Sequence, residues 1–296
     1  MAFQNPQYLV ETEWLQENLD NPNLRIFDCT VYLPNYFEES AAEGLQVVSG
    51  REHWEQEHVP GSAFADLLQD LRNPDNPAFM LPMPSAEQFA SVMSRYGVGE
   101  GVRVVLYDNM VNIWATRLWW MLRFFGFDDA AVLNGGWQKW TQEGRPISIE
   151  PPNYPPAQFV ARPRTELIVT KNEVQAAIDS QGTCIINALD PDEYAGRGPV
   201  RYGRPGHIPS SVNVSFLGIL DPKTNAYLKP EQLQEQFMQA GAMNKDRVIT
   251  YCGGAIAATS DAFILTLLGV DNVAVYDGSM TEWAADPTLP LVTGDE

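Results

Sequence analysis

A chain of 296 residues that is 45% hydrophobic and 19% charged has the length for two ordinary domains and the composition of a folded globular protein. Its formal net charge of −19 lacks the basic footprint that nucleic acid or an anionic membrane surface requires, so neither is expected as a partner. Three cysteines and three histidines with no C-x-x-C spacing argue against a disulfide framework and a metal site and suit a reducing cytoplasm, and no cofactor is expected.

In chain order, Met1-Ala2-Phe3-Gln4-Asn5-Pro6 shows no basic region leading into an apolar core, so no signal peptide is expected. Leu24–Asp28 reads as a strand, and His58-Val59-Pro60-Gly61-Ser62 as a Gly/Pro turn. Ser85-Ala86-Glu87-Gln88 opens a helix with a capping-box pattern. A strand over 102–107, a helix over 114–125 and a strand over 130–133 follow. The apolar run Leu118 to Leu122 is bracketed by Arg117 and Arg123, too short to span a membrane. Pro146 to Pro163 holds six prolines and is read as an extended linker over 146–163, between a first domain over 1–145 and a second over 164–296. Beyond it, 184–188 is a strand, and Pro230 starts a helix at a position that tolerates proline. Arg247–Tyr251 is a β-branched strand, and Ala258 to Leu268 is an apolar helix that stops at Gly269.

The two halves repeat each other. Arg103-Val104-Val105-Leu106-Tyr107-Asp108 matches Arg247-Val248-Ile249-Thr250-Tyr251-Cys252 at an offset of 252 − 108 = 144. Leu122–Asp128 matches Leu265–Asp271, Ala131–Gly136 matches Ala274–Ser279, Trp140 matches Trp283, and His58–Ser62 matches His207–Ser211. Strands alternating with helices predict an α/β fold with two parallel sheets, each flanked by helices. Trp119, Trp120, Trp137, Trp140 and Trp283 are assigned to the core.

The chemistry concentrates at Tyr251-Cys252-Gly253-Gly254-Ala255-Ile256-Ala257, between a strand and a helix start. Backbone N–H groups and the positive helix end converge there, so Cys252 is expected to be a stabilised thiolate and a nucleophile. The glycines are expected to let the loop curl tightly. Cys29 and Cys184 adjoin apolar strands and are assigned to packing. Asp108 in the first copy cannot do thiolate chemistry, so that copy is expected to wall the site. Arg197, Arg201 and Arg204 lie in a Gly/Pro-rich segment and can present fork geometry to an anion; pairing with Asp190, Asp192 and Glu193 is the surface alternative. Asp277-Gly278 reads as a turn with Ser279 as a helix cap.

These motifs together resemble the tandem-domain rhodanese and 3-mercaptopyruvate sulfurtransferase family. The resemblance rests on His58-Val59-Pro60-Gly61, Val104–Asp108, Trp119-Trp120-Met121-Leu122-Arg123, Gly206-His207-Ile208-Pro209, Val212-Asn213-Val214, the Cys252 loop, and Tyr276–Ser279 with Glu282-Trp283. It implies two rhodanese-like domains, the first inactive. It also implies ping-pong transfer of a sulfane sulfur through a Cys252 persulfide. The N–H groups of Gly253, Gly254, Ala255, Ile256 and Ala257 would cradle that persulfide. The implied donor is a small anion, 3-mercaptopyruvate in preference to thiosulfate, and the acceptor is cyanide or a thiol, with a thiol reductant protein as a further partner. Substrate-binding arginines are implied in the segment holding Arg197, then Arg201 and Arg204. His58 has a proton-transfer role in some relatives, although its repetition as His207 favours a structural one.

Three other readings compete. A non-turnover persulfide carrier or regulatory binding module would keep the same loop. A cysteine-based phosphatase needs an arginine six residues past the cysteine, where this chain has Ala258. A cysteine hydrolase needs a histidine beside Cys252.

Overall fold

The computed structural model describes residues 2–36, 38, 44–76 and 81–295; Met1 and Glu296, the outer ends of the two expected domains, lie outside them. Its first half contains strands Leu9–Val10 (β1), Leu24–Asp28 (β2), Val31–Tyr32 (β3), Val48–Ser49 (β4), Ser62–Phe64 (β5), Arg103–Tyr107 (β6) and Ala130–Leu133 (β7). Helices Thr12–Glu17 (α1), Arg51–Gln56 (α2), Ala86–Arg95 (α3), Ile113–Phe124 (α4) and Gly136–Gln142 (α5) accompany them. The second half contains strands Ile168–Val169 (β8), Thr183–Asn187 (β9), Ser211–Asn213 (β10), Arg247–Tyr251 (β11) and Val273–Tyr276 (β12). Its helices are Lys171–Ala177 (α6), Pro191–Tyr194 (α7), Pro230–Gln239 (α8), Ala258–Leu267 (α9) and Ser279–Trp283 (α10).

Two five-stranded parallel sheets result, ordered β1-β7-β6-β2-β5 and β8-β12-β11-β9-β10. The orders superimpose strand for strand, as the repeat predicts, while β3 and β4 form a separate antiparallel pair. Strands covered on both faces carry continuous rather than alternating apolar runs; all of β2 and β7 and the last four residues of β6 and β11 are buried.

Helices α4 and α9 hold the halves together. Every residue of α9 is buried, as is α4 from Ile113 to Leu122, the pattern of a helix enclosed on all sides. Thr116 Oγ1 lies 3.0 Å from Thr259 Oγ1 and 3.1 Å from Ser260 Oγ, and Trp119 meets Phe263 edge-on at 4.8 Å. Trp119, Trp120, Trp140 and Trp283 are fully enclosed and Trp137 is buried, as assigned from sequence.

Three local details differ from expectation. Ser85 Oγ accepts from Gln88 N at 3.1 Å, but the Gln88 side chain donates to the Asp70 and Arg72 carbonyls instead of back to the cap, so half the capping box forms. The proline-rich stretch lacks regular structure from 149 to 164, yet it straps the first half. Ile26 N donates to Tyr154 Oη, Phe159 N to Ser94 Oγ, and Arg162 N to the Phe125 carbonyl, with Phe159 buried in the core. Ser279 is not a cap, as described below. Among the described residues no helix is long and apolar enough to cross a membrane.

Candidate active site

The repeated Tyr–Ser pair explains how each strand end is fixed. Tyr251 closes β11, and its hydroxyl lies 2.9 Å from Ser211 Oγ and accepts from Ile208 N at 3.0 Å. Tyr107 closes β6 with the same bonds to Ser62 Oγ and Val59 N. The residue after each tyrosine, Cys252 or Asp108, therefore projects from the carboxyl end of a central strand over the following helix.

In the first copy the pocket so formed is filled by its own side chain. Asp108 Oδ1 accepts from Met110 N (2.9 Å) and Asn112 N (3.0 Å), and Oδ2 from Trp114 N and Ala115 N (both 2.9 Å). Burial nevertheless pushes this carboxyl above the usual carboxylate range, with the four N–H groups opposing. In the second copy the Cys252 thiol lies among the N–H groups of Gly254, Ile256, Ala257 and Ala258. Three of these are the Met110, Asn112 and Trp114 positions shifted by the repeat offset of 144.

Two details add to the expected cradle: the Ala258 N–H also faces the sulfur, and the Ala255 N–H is engaged elsewhere. Ser279 Oγ accepts from both Cys252 N and Ala255 N at 3.1 Å and donates to the Tyr276 carbonyl at 2.8 Å. Ser279 is therefore the first residue of α10 and a staple across the loop, held with a left-handed φ of 47°. The left-handed residue within the loop is Ala255, φ 59°, not a glycine. Gly253 answers a different need, since a Cβ there would overlap the Tyr202 hydroxyl. Met280 N and Thr281 N bond the Cys252 and Gly253 carbonyls at 3.0 and 2.9 Å, completing the seam.

Burial opposes the expected thiolate. Cys252 is 2% exposed, and burial holds its thiol above the ordinary value of 9.0 despite the four converging N–H groups. Cys29 is shifted well up and Cys184 to about 11, both by burial, in keeping with packing roles.

Leu33, Tyr36, Leu45, Ile113 and Trp114 from the first half and Leu189, Tyr202, Phe216 and Thr281 from the second line a cleft over Cys252, Gly253, Gly254, Ile256 and Ala257. The first copy walls the site, as expected. The structure does not bring the predicted arginines or His58 into this lining. Arg197 is half exposed and paired with Asp192 (3.0 Å) and Asp295 (2.8 Å). Arg204 donates to the main-chain carbonyls of Trp283, Ala284, Asp286 and Leu289. Arg201 is buried against Glu193, bonds the Tyr36 carbonyl and stacks on the Tyr36 ring at 4.5 Å, while Tyr36 Oη donates to Glu193 at 2.9 Å. His58 stacks on Trp54 at 4.6 Å, with its ring nitrogens 2.6 and 3.1 Å from the Trp54 and Glu150 carbonyls.

Two residues escaped the sequence reading. Tyr202 sits over Gly253, in a segment whose sequence signal is its arginines. Arg117, read only as a charge ending an apolar run, is fully buried. It reaches from α4 to Asp277 Oδ1 (2.7 Å), the Leu81 carbonyl (2.7 Å) and the Ala255 carbonyl (3.4 Å). A buried guanidinium at such a junction is detectable from sequence only as a charge inside an otherwise apolar helix.

The rhodanese-like domain model matches the chain twice, over residues 11–143 and 170–286. The chain is 30% identical to the sulfur carrier protein TtuD of Thermus thermophilus across 100% of both chains. It is 31% identical to thiosulfate sulfurtransferase of Rattus norvegicus over 93% of this chain and 91% of that one. The solved structure of SseA from Escherichia coli, described as a 3-mercaptopyruvate sulfotransferase, matches with a TM-score of 0.79 and 26% identity, covering 92% of this chain and 98% of that one.

Proposed function

The chain belongs to the rhodanese family, and from that premise we propose that it is a sulfurtransferase working through a Cys252 persulfide, with residues 1–145 forming a non-transferring domain that walls the site. The observation that carries this reading is the contrast between the copies. Asp108 fills its own N–H cradle, whereas Cys252 presents a sulfur to an equivalent cradle beneath an open cleft.

The chemistry balances for donors of the kind named in the relatives. The Cys252 thiolate attacks the outer sulfur of thiosulfate; an S–S bond forms, the donor S–S bond breaks, and sulfite leaves with the electron pair. With 3-mercaptopyruvate the bond that breaks is C–S, and the enolate of pyruvate leaves. Cyanide then removes the outer sulfur as thiocyanate and regenerates the thiolate, or a thiol takes it as a hydropersulfide. Negative charge on the persulfide is stabilised by the N–H groups of Gly254, Ile256, Ala257 and Ala258. Position 258 is alanine, so the guanidinium that clamps a phosphoryl group is missing from the loop, and among the described residues no histidine lines the cleft to serve a hydrolase.

A second reading is favoured by the likeness to a protein named as a sulfur carrier: a persulfide loaded here and handed to a partner protein without turnover on small acceptors. Incubation with thiosulfate or 3-mercaptopyruvate and excess cyanide separates the two. The sulfurtransferase reading predicts thiocyanate in many equivalents per protein; formation that stops at one equivalent contradicts it in favour of the carrier.

A further inference from the structure

We propose that the cleft over Cys252 selects an organic sulfur donor with an apolar, uncharged body, such as an aryl or alkyl hydropersulfide, over an inorganic dianion. The inference rests on the persulfide reading above and narrows it to a substrate class.

The first argument is the lining. Leu33, Leu45, Ile113, Trp114, Leu189 and Phe216 supply hydrocarbon and aromatic surface, and among the described residues the lining holds no Lys, Arg or His. Such a lining suits an organic donor whose binding is driven by apolar burial.

The second argument is where the cations are. Arg197 is held by Asp192 and Asp295, Arg201 by Glu193, Arg204 by four main-chain carbonyls and Arg117 by Asp277. The N–H groups of the loop already converge on the Cys252 sulfur. A dianion entering the cleft would shed its water with no counter-charge to replace it, a cost that apolar contacts do not recover. The recess beside Tyr36 adds Asp190, Asp192 and Glu193 against Arg197 and Arg201, a balance that does not draw anions inward.

The third argument is charge conservation through the reaction. A hydropersulfide anion, R–S–S⁻, takes the proton of the buried Cys252 thiol and becomes R–S–SH. The thiolate attacks the outer sulfur; the new S–S bond forms as the donor S–S bond breaks, and R–S⁻ leaves with the electron pair. Cys252 is left as Cys–S–SH, the proton remaining on the transferred sulfur. One negative charge is present at every stage. Thiosulfate would bring two charges to the same apolar space.

The test uses the full chain and three donors: benzyl hydropersulfide, 4-carboxybenzyl hydropersulfide and thiosulfate. The rate of sulfur addition to Cys252 is followed by mass spectrometry, and each rate is divided by that of the same donor with free N-acetylcysteine to remove intrinsic reactivity. The benzyl compound should load about tenfold or more faster than its carboxylated twin, with thiosulfate slower again. Loading by the carboxylated compound or thiosulfate that equals or exceeds the benzyl compound overturns the inference while leaving the persulfide reading intact. Addition of sulfur by none of the three contradicts the persulfide reading and the inference with it.

Discussion

The Cys252 sulfur has four N–H groups converging on it and 2% of the residue exposed, and these two facts act on its proton in opposite directions. Desolvation disfavours the anion and is the larger effect, so the thiol sits above its ordinary value of 9.0. Because the neutral form is the acid, the thiolate fraction is small at neutral pH and grows as pH climbs towards the raised value. The rate of Cys252 alkylation by iodoacetamide should therefore rise continuously through pH 8 and beyond, with no plateau near neutrality. A plateau at or below about pH 7, the behaviour of thiols activated by a neighbouring cation or helix end, would contradict this. Arg197 and Arg201 pair with Asp192 and Glu193, the acidic neighbours the sequence offers as the alternative, whereas Asp295 and the Trp283–Leu289 carbonyls that hold Arg197 and Arg204 are set by tertiary contacts, which chain order does not display.

At the scale of elements, the strand–loop–helix units were legible because a repeat at an offset of 144 constrains two copies at once. β2, β7 and β11 match their predicted ranges, and β6, β9, α4 and α9 lie within a residue of theirs at each end. The loop between β11 and α9 was legible in kind but not in detail. Its staple comes from α10, 24 and 27 residues away in sequence, and works because Ser279 adopts a left-handed backbone that no local pattern announces. Replacing Ser279 with alanine removes the acceptor shared by two buried N–H groups. Each orphaned donor costs about 1–3 kcal/mol, so the Ser279→Ala protein should show a clearly lowered unfolding free energy in denaturant titration. It should also show faster alkylation of Cys252 as the loop loosens. Stability within about 0.5 kcal/mol of the native protein would mean that the staple is not needed to hold the loop.

For the whole molecule, the two copies of the duplicated fold are tied together on both sides of the Cys252 loop. Arg117 from α4 joins Asp277 and the Ala255 carbonyl, so the first half supplies a cation to the frame of the second half's loop. Asn112 donates to the Asn225 carbonyl at 2.8 Å, and Tyr227 N donates to Asn134 Oδ1 at 2.9 Å, extending the contact on the other side. The cleft itself needs both halves, with Leu33, Ile113 and Trp114 facing Leu189 and Phe216. All of this places one sulfur, that of Cys252, at the floor of the cleft, and leaves Cys29 and Cys184 in the core. The most direct measurement is therefore to treat the native protein and its Cys252→Ala variant with a sulfane-sulfur donor and map the added mass by peptide. The account predicts one extra sulfur on the Cys252 peptide, removed by cyanide, and none on the folded variant. Extra sulfur on Cys29 or Cys184, or loading that persists in Cys252→Ala, would contradict it.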